Sequence, residues 1–180
     1  RYAVFFVGSI VFGNMVPVIL GKNSISDQIQ FDGSIPLKVV VVNLETFETV
    51  RTFETTPGSV IHFGNAYDQG DEIIVDGMFT DNFEANDTLG DVFNPEGRFG
   101  GGQYYRFVMN MANGTMTQEK VTDVESEFPT FNPIKAGKKH GVTYTATSIY
   151  NGANSFFNGI QRVNFDGDSQ LATLPPGYYG

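Results

Sequence analysis

Apolar residues in this chain come in short runs broken by turn formers, not in the 3.6-residue rhythm of an amphipathic helix. Leu37-Lys38-Val39-Val40-Val41-Val42 is a β-branched run of the buried-strand type. Thr49-Val50-Arg51-Thr52-Phe53 alternates and stops near Pro57-Gly58, and Glu72-Ile73-Ile74-Val75 follows the turn signal Gln69-Gly70-Asp71. Residues 81–102 are rich in Asn, Asp and Gly and read as a long surface loop. Strands resume at Tyr104–Met109, Thr115–Val121 and Val142–Thr147. No stretch holds a helical apolar period for three turns. The pattern predicts an all-β fold.

A weak internal repeat orders these strands. Val42-Asn43-Leu44, Met109-Asn110-Met111 and Val163-Asn164-Phe165 each end an apolar strand just before a turn and a returning strand. Meandering units of this length are what the blades of a β-propeller look like. The repeat singles out two polar residues. His62 follows Asn43, and Glu127 follows Asn110, by nearly the same distance, at the start of the third strand of successive units. Equivalent strand ends of a propeller converge on its axis, so the two could approach one centre.

Composition narrows the function. The chain is 41% hydrophobic and 14% aromatic, too apolar for a disordered segment. Its net charge of −9 argues against nucleic acid, which needs a basic surface to displace counterions. There is no Cys, so disulfides, thiolate metal sites and Cys nucleophiles are excluded. His62 and His140 are the only imidazoles, fewer than the three or more protein ligands a catalytic metal usually takes.

Several segments carry two readings. The run from Ala3 to Leu20 is nearly uncharged, but Gly8, Gly13, Asn14 and Pro17 interrupt it. A buried strand followed by an apolar loop is the first expectation, a membrane-touching patch the second and a true span the last. His62, between Ile61 and Phe63, reads either as a metal ligand kept dry by its neighbours or as a core His bonded to a backbone carbonyl. Glu127, followed by Phe128-Pro129, reads as a paired carboxylate in a stiff apolar segment or as an exposed loop Glu. His140 lies in the basic, Gly-bounded stretch Gly137-Lys138-Lys139-His140-Gly141 and reads as a solvated hairpin tip. Asp76 reads as a strand end, and Gly100-Gly101-Gly102 as flexible loop without the Lys of a phosphate loop. The chain starts at Arg1 without Met and stops after Tyr178-Tyr179-Gly180 without a charged tail, which leads us to expect an internal piece of a longer protein, truncated at both ends.

The stretch from His62 to Asp76, with His62, Asn65, Tyr67 and Asp68 followed by a strand ending in Asp, resembles the carotenoid oxygenase family around its third iron-binding His. Glu127-Phe128-Pro129 with Asn132, Gly137 and Tyr144 resembles the family's next block, and Arg1–Phe6 with residues 26–43 resembles the approach to that His. The resemblance implies part, about two to three blades, of a seven-bladed β-propeller whose axis holds Fe(II) on four His backed by three Glu. It implies that His62 is one iron ligand and Glu127 a carboxylate partnering an iron-bound imidazole, with the other ligands outside this chain. The implied activity of the full-length protein is oxidative cleavage of conjugated C=C bonds in carotenoids or apocarotenoids with O2, in a family that also holds stilbene-cleaving oxygenases and a retinoid isomerase. The 180-residue piece alone is expected to be inactive. A cytoplasmic protein in peripheral contact with a membrane, from which it draws substrate, fits this reading. The competing reading is a non-catalytic binding propeller in which His62 and Glu127 are structural.

Overall fold

The structure is a computed structural model and describes residues 1–83, 101–149, 157–175 and 178. In chain order the strands are β1 (Tyr2–Val7), β2 (Ile10–Phe12), β3 (Ile29–Phe31), β4 (Leu37–Asn43), β5 (Thr49–Thr55), β6 (Ser59–Gln69), β7 (Glu72–Thr80), β8 (Gly102–Asn110), β9 (Met116–Phe131), β10 (Val142–Thr147), β11 (Gly159–Asn164) and β12 (Ser169–Thr173). One short helix, α1 (Val16–Ile19), follows β2. The predicted all-β class is what the chain adopts.

Three blade-like units emerge. The first is the three-stranded sheet β1-β4-β5. A seven-stranded sheet, β6 to β12 in sequence order, divides at β9 into the other two. The first part of β9 pairs with β8, up to Ser126 opposite Gly102, and its last residues pair with β10. One strand is thus the outer edge of one unit and the inner edge of the next. The sequence pattern placed a strand at Thr115–Val121 and left Glu127 open to an exposed-loop reading. The ladder instead runs on, because Glu125 and Ser126 pair with β8 and Ser126 and Glu127 with β10.

The recurring Asn has a physical role. Asn43, Asn110 and Asn164 end β4, β8 and β11, in each unit the strand next to the outermost one. Their N–H groups close the same kind of turn, donating to the carbonyls of Glu48, Thr115 and Asp168 at 2.9, 2.8 and 2.7 Å. The side-chain oxygens of Asn43 and Asn110 also accept from the N–H two residues on, the Asx turn that makes Asn a strong turn former.

The units pack face to face. Leu37, Val39 and Val41 alternate inward from β4 and meet Ile73, Val75, Phe79, Phe107 and Met109 of the second unit. Met78 and Tyr104, on the other face of β7 and β8, meet Val163 of the third. Strand β7 is therefore buried on both faces from Ile73 to Phe79, as a near-continuous apolar run requires.

The segment from Ala3 to Leu20 departs from its first expectation. Strand β1 has no fully buried residue, and Phe5, Val7, Phe12, Val16, Ile19 and Leu20 are all exposed. Its alternation faces neighbouring sheet on one side only. No helix among the described residues is long and apolar enough to cross a membrane. The loop expected over 81–102 falls mainly on residues 84–100, outside the described residues.

Candidate functional site

His62 sits in β6, where the pairing with β7 slips twice. Val60 faces Phe79, Phe63 faces Gly77 and Ala66 faces Val75, so at each step three residues of β6 are matched by two of β7. Ile61 and His62 share Met78 as their opposite number, and Gly64 and Asn65 share Asp76. Such bulges insert an unpaired residue and re-aim a side chain. Gly77 makes room for the first one: a Cβ there would lie 2.8 Å from Val60 Cγ1.

Glu127 lies on the last part of β9, the inner strand of the next unit, and it too adjoins a bulge. Thr130 faces Tyr144 and Glu127 faces Ala146, leaving Phe128 and Pro129 opposite Thr145. Two residues 65 apart in sequence are thereby brought into contact: His62 Nδ1 lies 2.8 Å from Glu127 Oε2. The other carboxylate oxygen, Oε1, accepts the backbone N–H of Gly102 at 2.7 Å. The Phe128 ring rests on the imidazole with centroids 4.5 Å apart.

This geometry selects a tautomer. An ionised carboxylate only accepts, so the imidazole hydrogen is on Nδ1 and donates to Oε2. The lone pair is then on Nε2, which has no hydrogen-bond partner among the described residues. An imidazole with one nitrogen held by a carboxylate and the other free is the arrangement seen in metal-binding His. The chemistry of His62 Nε2 therefore fits one position of a metal site. No group of three or more metal-binding side chains occurs among the described residues.

The two readings of His62 and Glu127 resolve as geometry. His62 is bonded to a carboxylate, not to a backbone carbonyl. Its neighbours do not seal it: the His62 side chain is 40% exposed, and Ile61 and Phe63 are also exposed. Glu127 is on a strand, its side chain only 14% exposed.

Beside the pair lies a buried polar cluster that sequence reasoning missed. Asp76 is inside β7, not at its end, and is fully buried. It accepts from Arg106 Nε at 2.8 Å and from the Tyr104 hydroxyl at 2.9 Å. That hydroxyl is 3.0 Å from Thr143 Oγ1, which is 2.8 Å from His140 Nε2. His140 is buried, not a solvated tip, because Asn65 gathers its loop: Asn65 Nδ2 donates to the Lys138 carbonyl at 2.7 Å and lies 3.2 Å from His140 Nδ1, and the Gly137 N–H donates to Asn65 Oδ1. Burial lowers the His140 pKa, with Arg106 adding to the effect and Asp76 opposing it. Burial likewise pushes the Tyr104 hydroxyl far above its usual range, helped by the nearby Asp76 charge. An Asp within Ile73–Phe79 and an Arg within Tyr104–Met109 were the available signal, since opposite charges in adjacent apolar strands must pair. Gly102 carried no such signal, because its function is a backbone N–H.

A cavity of about 410 Å³ lies between β1 and β6, lined by Tyr2, Val4, Phe63, Ala66, Tyr67 and Ile73 among others. Phe63, which lines it, is the residue after His62 in β6 and packs on Phe6 with ring centroids 5.2 Å apart.

A family model described as retinal pigment epithelial membrane protein (RPE65) matches residues 1–180. Apocarotenoid-15,15'-oxygenase of Synechocystis is 22% identical over 183 residues, an alignment covering all of this chain and 37% of that protein. Cobalt-substituted apocarotenoid oxygenase of Synechocystis superposes with a TM-score of 0.80 over 98% of this chain and 37% of the other, at 21% identity. A chimera of that oxygenase and RPE65 superposes with a TM-score of 0.82 over 97% of this chain and 36% of the other, at 24% identity. The chain thus spans little more than a third of its relatives' length, and its three units are part of their propeller fold.

Proposed function

This chain belongs to the retinal pigment epithelial membrane protein family, the carotenoid oxygenases, and from that premise we propose that it is the His62-bearing part of an Fe(II)-dependent dioxygenase cleaving carotenoids or apocarotenoids. The observation that carries the proposal is the 2.8 Å contact between His62 Nδ1 and Glu127 Oε2. It leaves Nε2 as a lone-pair donor held in one orientation. When bound, ferrous iron with open coordination positions would let O2 react with a conjugated C=C bond of the substrate, a role for which imidazole ligands are suited.

The chain's own residues do the rest. His62 gives Nε2 to the metal. Glu127 holds the Nδ1 hydrogen, fixing the tautomer and raising the basicity of the ring. The Gly102 N–H holds the carboxylate from its other side. Phe128 presents apolar surface against the imidazole, where a polyene would displace water at little cost. The remaining iron ligands would come from parts of the full-length protein outside residues 1–180, so residues 1–180 alone would be inactive. Exposed Phe12, Val16, Ile19 and Leu20, close together in sequence, offer apolar surface suited to peripheral membrane contact, as a cytoplasmic enzyme taking an apolar substrate from a bilayer would need.

The test is His62→Ala in the full-length protein. Iron retention and cleavage of an apocarotenoid should both be abolished while far-UV circular dichroism is unchanged. Full iron occupancy with wild-type turnover would overturn the assignment.

A further inference from the structure

Two described residues other than glycine have left-handed backbones, Phe47 with φ 58° and Phe128 with φ 55°. A bulky aromatic in that region is strained, and such strain persists only where its surroundings impose it. Phe47 is explained by its turn, since its N–H donates to the Asn43 carbonyl that begins the reversal. Phe128 is inside a strand and precedes Pro129, a position whose own preference is extended. Nothing local asks for a positive φ there.

The consequence is visible at His62. Successive side chains of a regular strand point to opposite faces. Glu127 and Phe128 are successive, yet both touch the same imidazole, one through a carboxylate oxygen at 2.8 Å and the other through its ring at 4.5 Å. The left-handed residue and the bulge opposite Thr145 turn the strand enough to bring both to one side. Burial of the ring is not what compensates the strain, because Phe128 is 51% exposed. Among the described residues it also meets the buried Phe157 edge-on, with centroids 5.6 Å apart, a contact additional to that with His62.

We propose that Phe128 is a positioning residue: its left-handed backbone sets Glu127 and its own ring against His62 together, so that one restrains the imidazole by hydrogen bond and the other by a tilted ring contact. This rests on the reading of His62 as a metal ligand only for its purpose. The restraint itself belongs to the metal-free protein and is measured there.

The experiment uses full-length protein with 15N-labelled histidine, the His62 signals being identified by their loss in His62→Gln. Its first readout is the hydrogen on Nδ1 in the metal-free state, and its second is Fe(II) affinity by competition with a chromophoric chelator. Phe128→Gly accepts the positive φ but removes the ring. It should keep or raise the melting temperature, broaden the Nδ1–H signal by faster exchange with water, and weaken Fe(II) binding about tenfold, the low end of losses seen for groups supporting a ligand. Phe128→Tyr should restore both readouts. An unchanged Nδ1–H signal in Phe128→Gly would overturn the proposal, as would a melting temperature lowered as far as in the core variant Phe107→Ala. A broadened signal combined with no metal dependence on His62 at all would keep the positioning role and reject the iron centre.

Discussion

Replacing Glu127 by Gln tests the centre of the site, because it alters one functional group and almost no volume. Two donors converge on the carboxylate, the His62 Nδ1–H at 2.8 Å and the Gly102 N–H at 2.7 Å. Glutamine offers one acceptor oxygen and one NH2 group. If its oxygen stays with Gly102, the NH2 faces Nδ1, which must then accept. The ring hydrogen moves to Nε2 and blocks the atom proposed to bind the metal. If its oxygen faces His62, the NH2 opposes the Gly102 N–H and leaves a poorly accessible donor unpaired, at a cost of about 1–3 kcal/mol. In either arrangement a charge-assisted bond becomes a neutral one, a further loss of about 1 kcal/mol. Either way the imidazole is no longer held as a Nε2 donor, and Fe(II) affinity should weaken about 10–100-fold, the scale typical for carboxylates behind ligand imidazoles. Anaerobic chelator competition on the full-length protein measures it, with circular dichroism to show that the fold persists. An affinity within twofold of wild type would refute the tautomer argument.

Other expectations follow from the same contacts. Asp76→Ala should destabilise the protein by about 3–5 kcal/mol, because it leaves the Arg106 charge buried without its partner; urea denaturation checks this, and Asp76→Ala/Arg106→Met should recover part of the loss. His140 is held neutral by burial, which lowers its pKa below the unfolded value. The unfolded state therefore binds a proton first, and stability should fall as pH drops below about 6.5; melting temperatures from pH 7.5 to 5 would show the decline, and His140→Gln should flatten it. Gly102→Ala would bring a Cβ to 3.0 Å from the Phe79 carbonyl oxygen and 3.2 Å from Glu127 Oε1; displacing the carboxylate should weaken Fe(II) retention by about tenfold, read by metal analysis after dialysis.

Much of this protein is written locally. The β-branched run Leu37–Val42, the turn signals around Gly70 and the three Asn-ended strands specify strands and reversals through contacts a few residues long. Alternation and turn chemistry were enough to predict an all-β chain of repeated units, and the family-like stretches around His62 and Glu127 marked the residues that meet. What the tertiary structure alone decided depends on the neighbouring strand or sheet. Whether His62 lands in a bulge is a matter of how β6 is matched against β7, and a one-residue slip leaves no trace in composition. Asp76 and His140 are buried because the third unit closes over them, although each stands in a sequence that reads as a strand end or a basic turn. The same dependence works in reverse for Ala3–Leu20, where apolar side chains stay exposed because no described element covers their outer face. Gly102 was invisible for the simplest reason: its contribution is a backbone N–H that every residue but proline carries, and only position made it part of the site.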